Sequence, residues 1–388
     1  MPSYILPHMR ALLLSLALTA TAQAQFTLQD SHSTAALRGI HNVGNGVAWA
    51  SGTNGTVLRT TDGGTNWQTC AIPPAAEKLD FRGIQAFDAN TAIVMSSGTG
   101  DLSRLYKTTD ACKSWKLIFT NPDKDGFWDA IQFYRGRTLD QAPHSGGVML
   151  IPVTNFRTAM LIGDPVNGAF AIFSTIDGGD TWHRWGDDPG TKRAKANPNE
   201  SLFAASNSSI VSPSINGQYC FVSGGKNGSR LLYEQGHSPF DLSSWSAFSS
   251  IKLPFPASES AGAFSIGRRE ETDGYSGRFV IVGGDYTKPD VGASATASQT
   301  LLLRRIGVKR STTQPHGYRS SVAYDAKSKS WITVGPNGTD ISTDDGKNWR
   351  PLTPTPTDAP DADKNWNALS LPYVVGPKGR IGKLNPLK

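Results

Sequence analysis

The sequence predicts an all-β fold: a seven-bladed β-propeller of four-stranded blades, closed by an N-terminal strand that joins the last blade. Three observations predict it. A turn motif carrying Asp, Gly and Trp recurs along the chain, an apolar strand ending in glycine recurs seven times, and a short apolar or alternating strand opens each unit. The 40 glycines and 24 prolines among 388 residues, with scarce helical periodicity, fit many short strands joined by turns.

The turn motif reads Ser/Thr-x-Asp-x-Gly-x-x-Trp. It stands at Thr60-x-Asp62-x-Gly64-x-x-Trp67, at Thr175-x-Asp177-x-Gly179-x-x-Trp182 and at Ser342-x-Asp344-x-Gly346-x-x-Trp349. A fourth copy, Thr108-x-Asp110-x-Cys112-x-x-Trp115, has Cys in place of Gly, and Asp241 to Trp245 is a decayed fifth. The Asp carboxylate and the hydroxyl accept backbone N–H groups across a tight turn. Glycine takes a backbone conformation that side chains resist. The Trp then buries its face between sheets. The motif therefore reads as structural rather than as a set of catalytic acids.

The strand-ending glycines are Gly52, Gly98, Gly163, Gly224, Gly283, Gly335 and Gly376, spaced 41 to 65 residues apart. That is the length of one propeller blade with loop insertions. Each follows a candidate innermost strand: Arg38-Gly39-Ile40, Arg82-Gly83-Ile84, Trp128 to Ile131, Ser208 to Ile210, Phe264 to Ile266, Arg319 to Val322 and Trp366 to Leu369. The last unit stops after its third strand. Gln25-Phe26-Thr27-Leu28 precedes the first unit and should supply the missing outer strand, which removes a free sheet edge.

Residues 1–24 read as a signal peptide: Met9-Arg10, the apolar run Ala11 to Leu18, and Ala22-Gln23-Ala24 before a cleavage point at Gln25. Residues 25–388 then form a single propeller domain, exported to the periplasm or secreted, with no membrane span in the mature chain. The net charge of +6 is scattered rather than gathered into a stripe, which speaks for solubility and anionic partners and against nucleic acid. The scattered histidines and three cysteines lack ligand spacing, so no metal is expected; no dinucleotide fingerprint exists, so no cofactor is expected. Cys70 follows the first motif's Trp and Cys112 stands inside the second motif; both should lie near the same outer face of neighbouring blades and are expected to form a disulfide. Cys220, in Tyr219-Cys220-Phe221-Val222, is expected to be a buried free thiol.

These residues resemble a known family. The Asp-box turns, the Val-Gly-x-x-Gly strands and the blades opening with Arg-Gly-Ile are similar to the photosystem II stability/assembly factor-like propellers, among the bacterial-neuraminidase-repeat, sialidase-like proteins. The resemblance spans the chain from residue 25. It implies a non-catalytic, exported or lumenal scaffold that binds a membrane-protein partner.

In such a ring, the loops leading into inner strands share one face with the loops between second and third strands. Arg38, Arg82, Asp129, Glu200, Tyr318 and Arg319 are thereby expected around one channel mouth, with Asp164, Lys226 and Asp285 on its rim. An Arg-lined mouth suits a carboxylate, a phosphate or an acidic peptide, so the expected partner is a protein or an anionic glycan or peptide of the cell envelope. The competing expectation is a glycoside hydrolase, sialidase- or xyloglucanase-like, acting on extracellular glycans. Asp129 and Asp285 are its candidate carboxylate pair, and Tyr318 beside Arg319 is the candidate stand-in for a sialidase nucleophile. The Arg-Ile-Pro signature of sialidases is absent from the sequence.

Overall fold

Short strands separated by turns pair with their sequence neighbours, giving seven four-stranded antiparallel blades. The computed structural model describes residues 25–387 apart from 134–135, 145–146, 156, 188–190, 212–218, 236–246, 271–276, 292–293 and 300–306. The decayed fifth motif, Asp241 to Trp245, lies outside the described residues, as does the leader.

The blades open with the inner strands Leu37–Gly44, Phe81–Ala86, Trp128–Phe133, Ile210–Val211, Ala261–Glu270, Ser321–Asp325 and Ala368–Ser370. Within each blade the chain steps outward, as in blade 1 from Leu37–Gly44 through Val47–Gly52 and Val57–Thr60 to Gln68–Thr69. Blade 3 carries an inserted hairpin, Gly136–His144 with Gly147–Asn155, between its first two strands. The outer strand of blade 7 is Phe26–Gln29. It pairs with Ile381–Leu384 in the register Phe26↔Leu384 to Gln29↔Ile381, so the ring closes through the expected N-terminal strand. A single 3₁₀ turn, Gly100–Leu102, is the only helix among the described residues.

The core is not one mass. It divides into seven apolar clusters, one at each junction between successive blades. Second strands such as Ala92–Ser96 and Ser330–Gly335 are buried on both sides, which is why each reads as a continuous apolar or small-residue run. Trp49, Trp128, Trp331 and Trp366 are the largest fully buried side chains.

The Asp-Trp turns connect third to fourth strands. In the first, Gly64 N donates to Thr60 Oγ1 (3.0 Å), Asn66 N to Asp62 Oδ1 (2.9 Å) and Asn66 Nδ2 to Asp62 Oδ2 (2.7 Å). The same pattern holds around Asp110, Asp177 and Asp344. Trp67 Nε1 donates to Gln29 Oε1 of blade 7 and Trp115 Nε1 to Ala71 O of blade 1, tying each blade to the one before it. Trp182 stacks on Phe119 of blade 2, and Trp349 packs at the junction of blades 5 and 6. Glycine at the fifth motif position has φ of 87°, 88° and 76° at Gly64, Gly179 and Gly346; Cys112 is held at φ 61° in the same place. Its disulfide to Cys70, with Cα atoms 5.3 Å apart, bridges blades 1 and 2. Cys220 is buried and unbridged, and burial pushes its thiol up to about 12.

Candidate functional site

The inner strands begin with a repeated irregularity. In blade 1, Leu37 pairs with Gly52 and Gly39 with Ser51, leaving Arg38 as an extra, unpaired residue. Arg82 in blade 2, Asp129 in blade 3 and Phe264 in blade 5 are extra residues at the same register. A bulge of this kind turns one side chain out of the sheet. Here it aims all four at the channel mouth. Ser320 and Asn367 take the equivalent places in blades 6 and 7. Gly83, which follows Arg82, faces a crowded axis: a Cβ there would lie 2.9 Å from Asn207 Oδ1 and 3.0 Å from Met95 Cε. Together these residues line a cup of about 510 Å³ that draws on all seven blades.

The cup has a floor. Before the short inner strand of blade 4, the segment from Ala204 to Ser208 crosses the axis and bonds to four other blades. Ala204 O accepts from Arg82 Nη1 (3.4 Å), Ser206 Oγ donates to Ser320 O (2.7 Å), and Asn207 Oδ1 accepts from Ile131 N (2.8 Å). Ser208 Oγ meets Ser265 Oγ at 2.7 Å and Ser321 Oγ at 3.2 Å. Asn207 holds φ at 58°, a left-handed conformation that Asn tolerates better than most residues.

Three kinds of chemistry face one another in the cup. On one side Arg38 and Arg82 share Asp80: Nε of Arg38 lies 3.4 Å and Nε of Arg82 2.8 Å from the same Oδ2. Burial, then repulsion from Arg82, lowers the affinity of Arg38 for its proton. Next to them stand Asp129 and Asp164. Asp129 is 1% exposed, and its Oδ2 has no hydrogen-bond partner. Burial, reinforced by the neighbouring Asp164, pushes its carboxyl well above the usual range. Asp164 accepts from Leu202 N at 2.8 Å, and burial raises it to about 6. The third wall is aromatic: Phe203 stacks on Phe264 at 4.0 Å, Tyr318 meets Phe264 edge-on at 4.7 Å, and Tyr286 closes the group. The Tyr318 phenol is driven far up by burial and stays neutral.

The structure therefore brings Arg38, Arg82, Asp129, Asp164 and Tyr318 together, but not every expected residue. Arg319 is not at the mouth. Ser321 pairs with Val334, so Ser320 matches Arg38 and Arg319 matches Leu37. That offset of one residue turns the side chain into the body of the ring, because neighbouring strand positions point to opposite faces. Arg319 is fully buried, bonds Asp340 through Nε at 2.7 Å, and also donates to Asn337 and Tyr318 O. Lys226 is outside the cup, on the surface, 2.5 Å from Glu259. Asp285 is likewise outside; Thr287 binds it through both N and Oγ1, so Asp129 and Asp285 do not form a carboxylate pair. Glu200 is buried beneath Arg230, Ser223 and Asn197 N.

Sequence reasoning placed Tyr318 at the mouth but missed Phe203 and Tyr286 of the aromatic wall, and the floor. Phe203 lies two residues beyond Glu200–Ser201 and Tyr286 one beyond Gly277–Asp285, and the hint of the floor was the run of small polar residues from Ser206 to Ser209. The Asp-Trp turns join third to fourth strands and so lie at the opposite end of the ring from the cup.

No protein-family model matches the chain, and no curated protein sequence matches it. Solved structures do. YCF48 bound to D1 peptide aligns with a TM-score of 0.57 at 16% identity, over 94% of this chain and 98% of that one. YCF48 from Cyanidioschyzon merolae aligns equally well, with TM-score 0.57 and 17% identity over 94% and 99% of the two chains. The GH74 xyloglucanase from Xanthomonas campestris gives a TM-score of 0.56 at 14% identity; the match covers 94% of this chain but 54% of the enzyme. The chain thus shares with these structures the fold of a seven-bladed β-propeller.

Proposed function

We propose that this protein is a non-catalytic binding propeller, exported by its N-terminal leader, that engages an anionic segment of a protein or peptide in the axial cup. The observation that carries this reading is the pairing of Arg38 and Arg82 on one carboxylate, Asp80. Two guanidinium groups against one carboxylate leave a positive excess at that wall, and a planar fork suits an incoming carboxylate. The likeness to a propeller whose structure holds a peptide supports the same reading. The test is affinity capture from the native cell envelope with the wild type and with an Arg38→Ala/Arg82→Ala variant. Partners held by the wild type should be lost from the variant, and equal recovery from both would count against the cup.

One observation favours a second reading. Asp129 and Asp164 are two carboxyl groups in one pocket, both raised by burial, and a glycoside hydrolase uses a pair of carboxyl groups as acid and base. The xyloglucanase likeness is in keeping with it. A panel of chromogenic glycosides and xyloglucan oligosaccharides, with Asp129→Asn as control, tests it; turnover that disappears in the variant would establish hydrolysis.

A further inference from the structure

The net charge of the cup is undecided by its arginines alone. Arg38 and Arg82 contribute two positive charges and Asp80 one negative charge. If Asp129 and Asp164 were both ionised, the cup would carry a net negative charge and repel anions. With one protonated it is neutral, and with both protonated it is positive. The acid pair therefore sets the sign of the field that an anion meets. The pair is also placed to touch the ligand, since both residues line the cup. Asp129 keeps an oxygen, Oδ2, buried and without a partner. A buried polar atom left unbonded at a pocket wall costs free energy until something in the pocket bonds to it.

We propose, on the reading that the cup binds an anion, that it is a proton-coupled receptor for an organic carboxylate with an apolar flank. Asp129 donates a hydrogen bond through Oδ2 to the bound carboxylate, Arg82 and Arg38 hold its charge, and Asp164 takes up a proton as the ligand enters. The stacked rings of Phe203 and Phe264, with Tyr318 and Tyr286, receive the apolar flank. The groups facing the acid pair are each other, the Asp164 and Leu202 N–H groups and Arg82, with Arg38, Tyr286 and Tyr318 around the same cup and Asp80 behind the arginines. Among the described residues no histidine lines it. The direction of the proton effect agrees with the surroundings: Asp164 is raised to about 6 by burial, and Asp129 lies well above its usual range. As pH climbs through about 6, Asp164 ionises and opposes the anion.

Phenylacetate is the probe and phenylacetamide the uncharged control, measured by titration calorimetry on the chain from residue 25 at pH 5.5 and 7.5. Phenylacetate stays ionised across this range. Its Kd should rise about tenfold or more from pH 5.5 to 7.5, and phenylacetamide should bind far more weakly at both. Repeating the pH 7.5 titration in buffers of different ionisation enthalpy should reveal net proton uptake, a readout that needs no variant. Asp164→Asn should bind as well at pH 7.5 as at 5.5. At pH 5.5 Asp129→Leu should lose tenfold or more in affinity, and Asp129→Asn, which keeps a donor, should lose distinctly less than Asp129→Leu. Binding that vanishes in Arg38→Ala/Arg82→Ala but shows neither pH dependence nor proton uptake would overturn the proton coupling while leaving the anion-binding cup intact. No phenylacetate binding at either pH would overturn the ligand class, and loss of envelope partners from the arginine variant would then still uphold the broader reading.

Discussion

Arg38 and Arg82 occupy the same bulged register of adjacent blades and converge on one oxygen of Asp80, at 3.4 and 2.8 Å. The carboxylate holds the two cations together and screens them from an incoming anion. Asp80→Asn should therefore tighten phenylacetate binding about fivefold at low ionic strength, with the gain shrinking as salt is added. An affinity unchanged by the substitution would mean that the arginine wall does not meet the ligand.

Arg319 and Asp340 are both almost wholly removed from solvent. Deleting Arg319 leaves the buried Asp340 with His316 but no guanidinium, so Arg319→Ala should cost about 3–5 kcal/mol in urea unfolding. Replacing both with apolar residues, Arg319→Met with Asp340→Leu, should recover much of that loss. The folded fraction of Arg319→Met/Asp340→Leu should bind phenylacetate as the wild type does, because neither side chain reaches the cup.

The Cys70–Cys112 disulfide ties residues 42 apart in sequence and restrains the unfolded chain accordingly. Cys70→Ser/Cys112→Ser should lose roughly 2–4 kcal/mol of stability. The cost should fall at the junction of blades 1 and 2, visible as faster amide exchange in Phe81–Ala86 than in Ser321–Asp325.

Asp62 is held down to about 2, first by the Asn66 backbone N–H, then by the Asn66 side chain and Thr60. Asp110 is lowered to about 2 by Ser114 and Thr108. A carboxyl whose folded value lies below its unfolded value stabilises the fold above the unfolded value and loses that contribution as pH falls through the folded one. Melting temperature should thus drop between about pH 4 and pH 2. The drop should be shallower in Asp62→Asn, which has no proton to gain; an identical profile would remove this turn from the acid response.

Removing residues 25–29 takes away the strand that covers Ile381–Leu384. An exposed edge on blade 7 should then recruit other copies. Size-exclusion chromatography should show the truncated chain shifting to aggregates or strand-exchanged dimers, and a monodisperse monomer of unchanged melting temperature would contradict the closure.

The ring was legible because its signals are periodic. Glycine-ended strands recur once per blade, Asp-Trp turns mark four of the seven, and the missing outer strand after Leu384 pointed to the segment Gln25 to Leu28, which the structure forms as Phe26–Gln29. The cup was legible only in part. Arg38 and Arg82 sit in identical Arg-Gly-Ile contexts, so their shared orientation could be read. Arg319 begins a similar triplet, but the strand register is shifted by one, and a one-residue offset is invisible without the pairing partner. The Asp129–Asp164 pair joins the start of one strand to the end of its neighbour, with an inserted hairpin between them in sequence; proximity there depends on the hairpin looping out. The floor from Ala204 to Ser208 is a tertiary event, made by bonds to four blades, and its one local trace is the run of small polar residues from Ser206.

The clasp of Phe26–Gln29 against Ile381–Leu384 also fixes where the chain enters and leaves the ring. Both Gln25 and Asn385 emerge at the outer rim of blade 7, on the side carrying the Asp-Trp turns, and Asn385 N donates to Gln25 O at 2.9 Å. Chain running out past Gln25 or Asn385 therefore leaves from the underside of the disc. A copy tethered by one end to a bead, a chip or a membrane would hold its arginine face towards the medium.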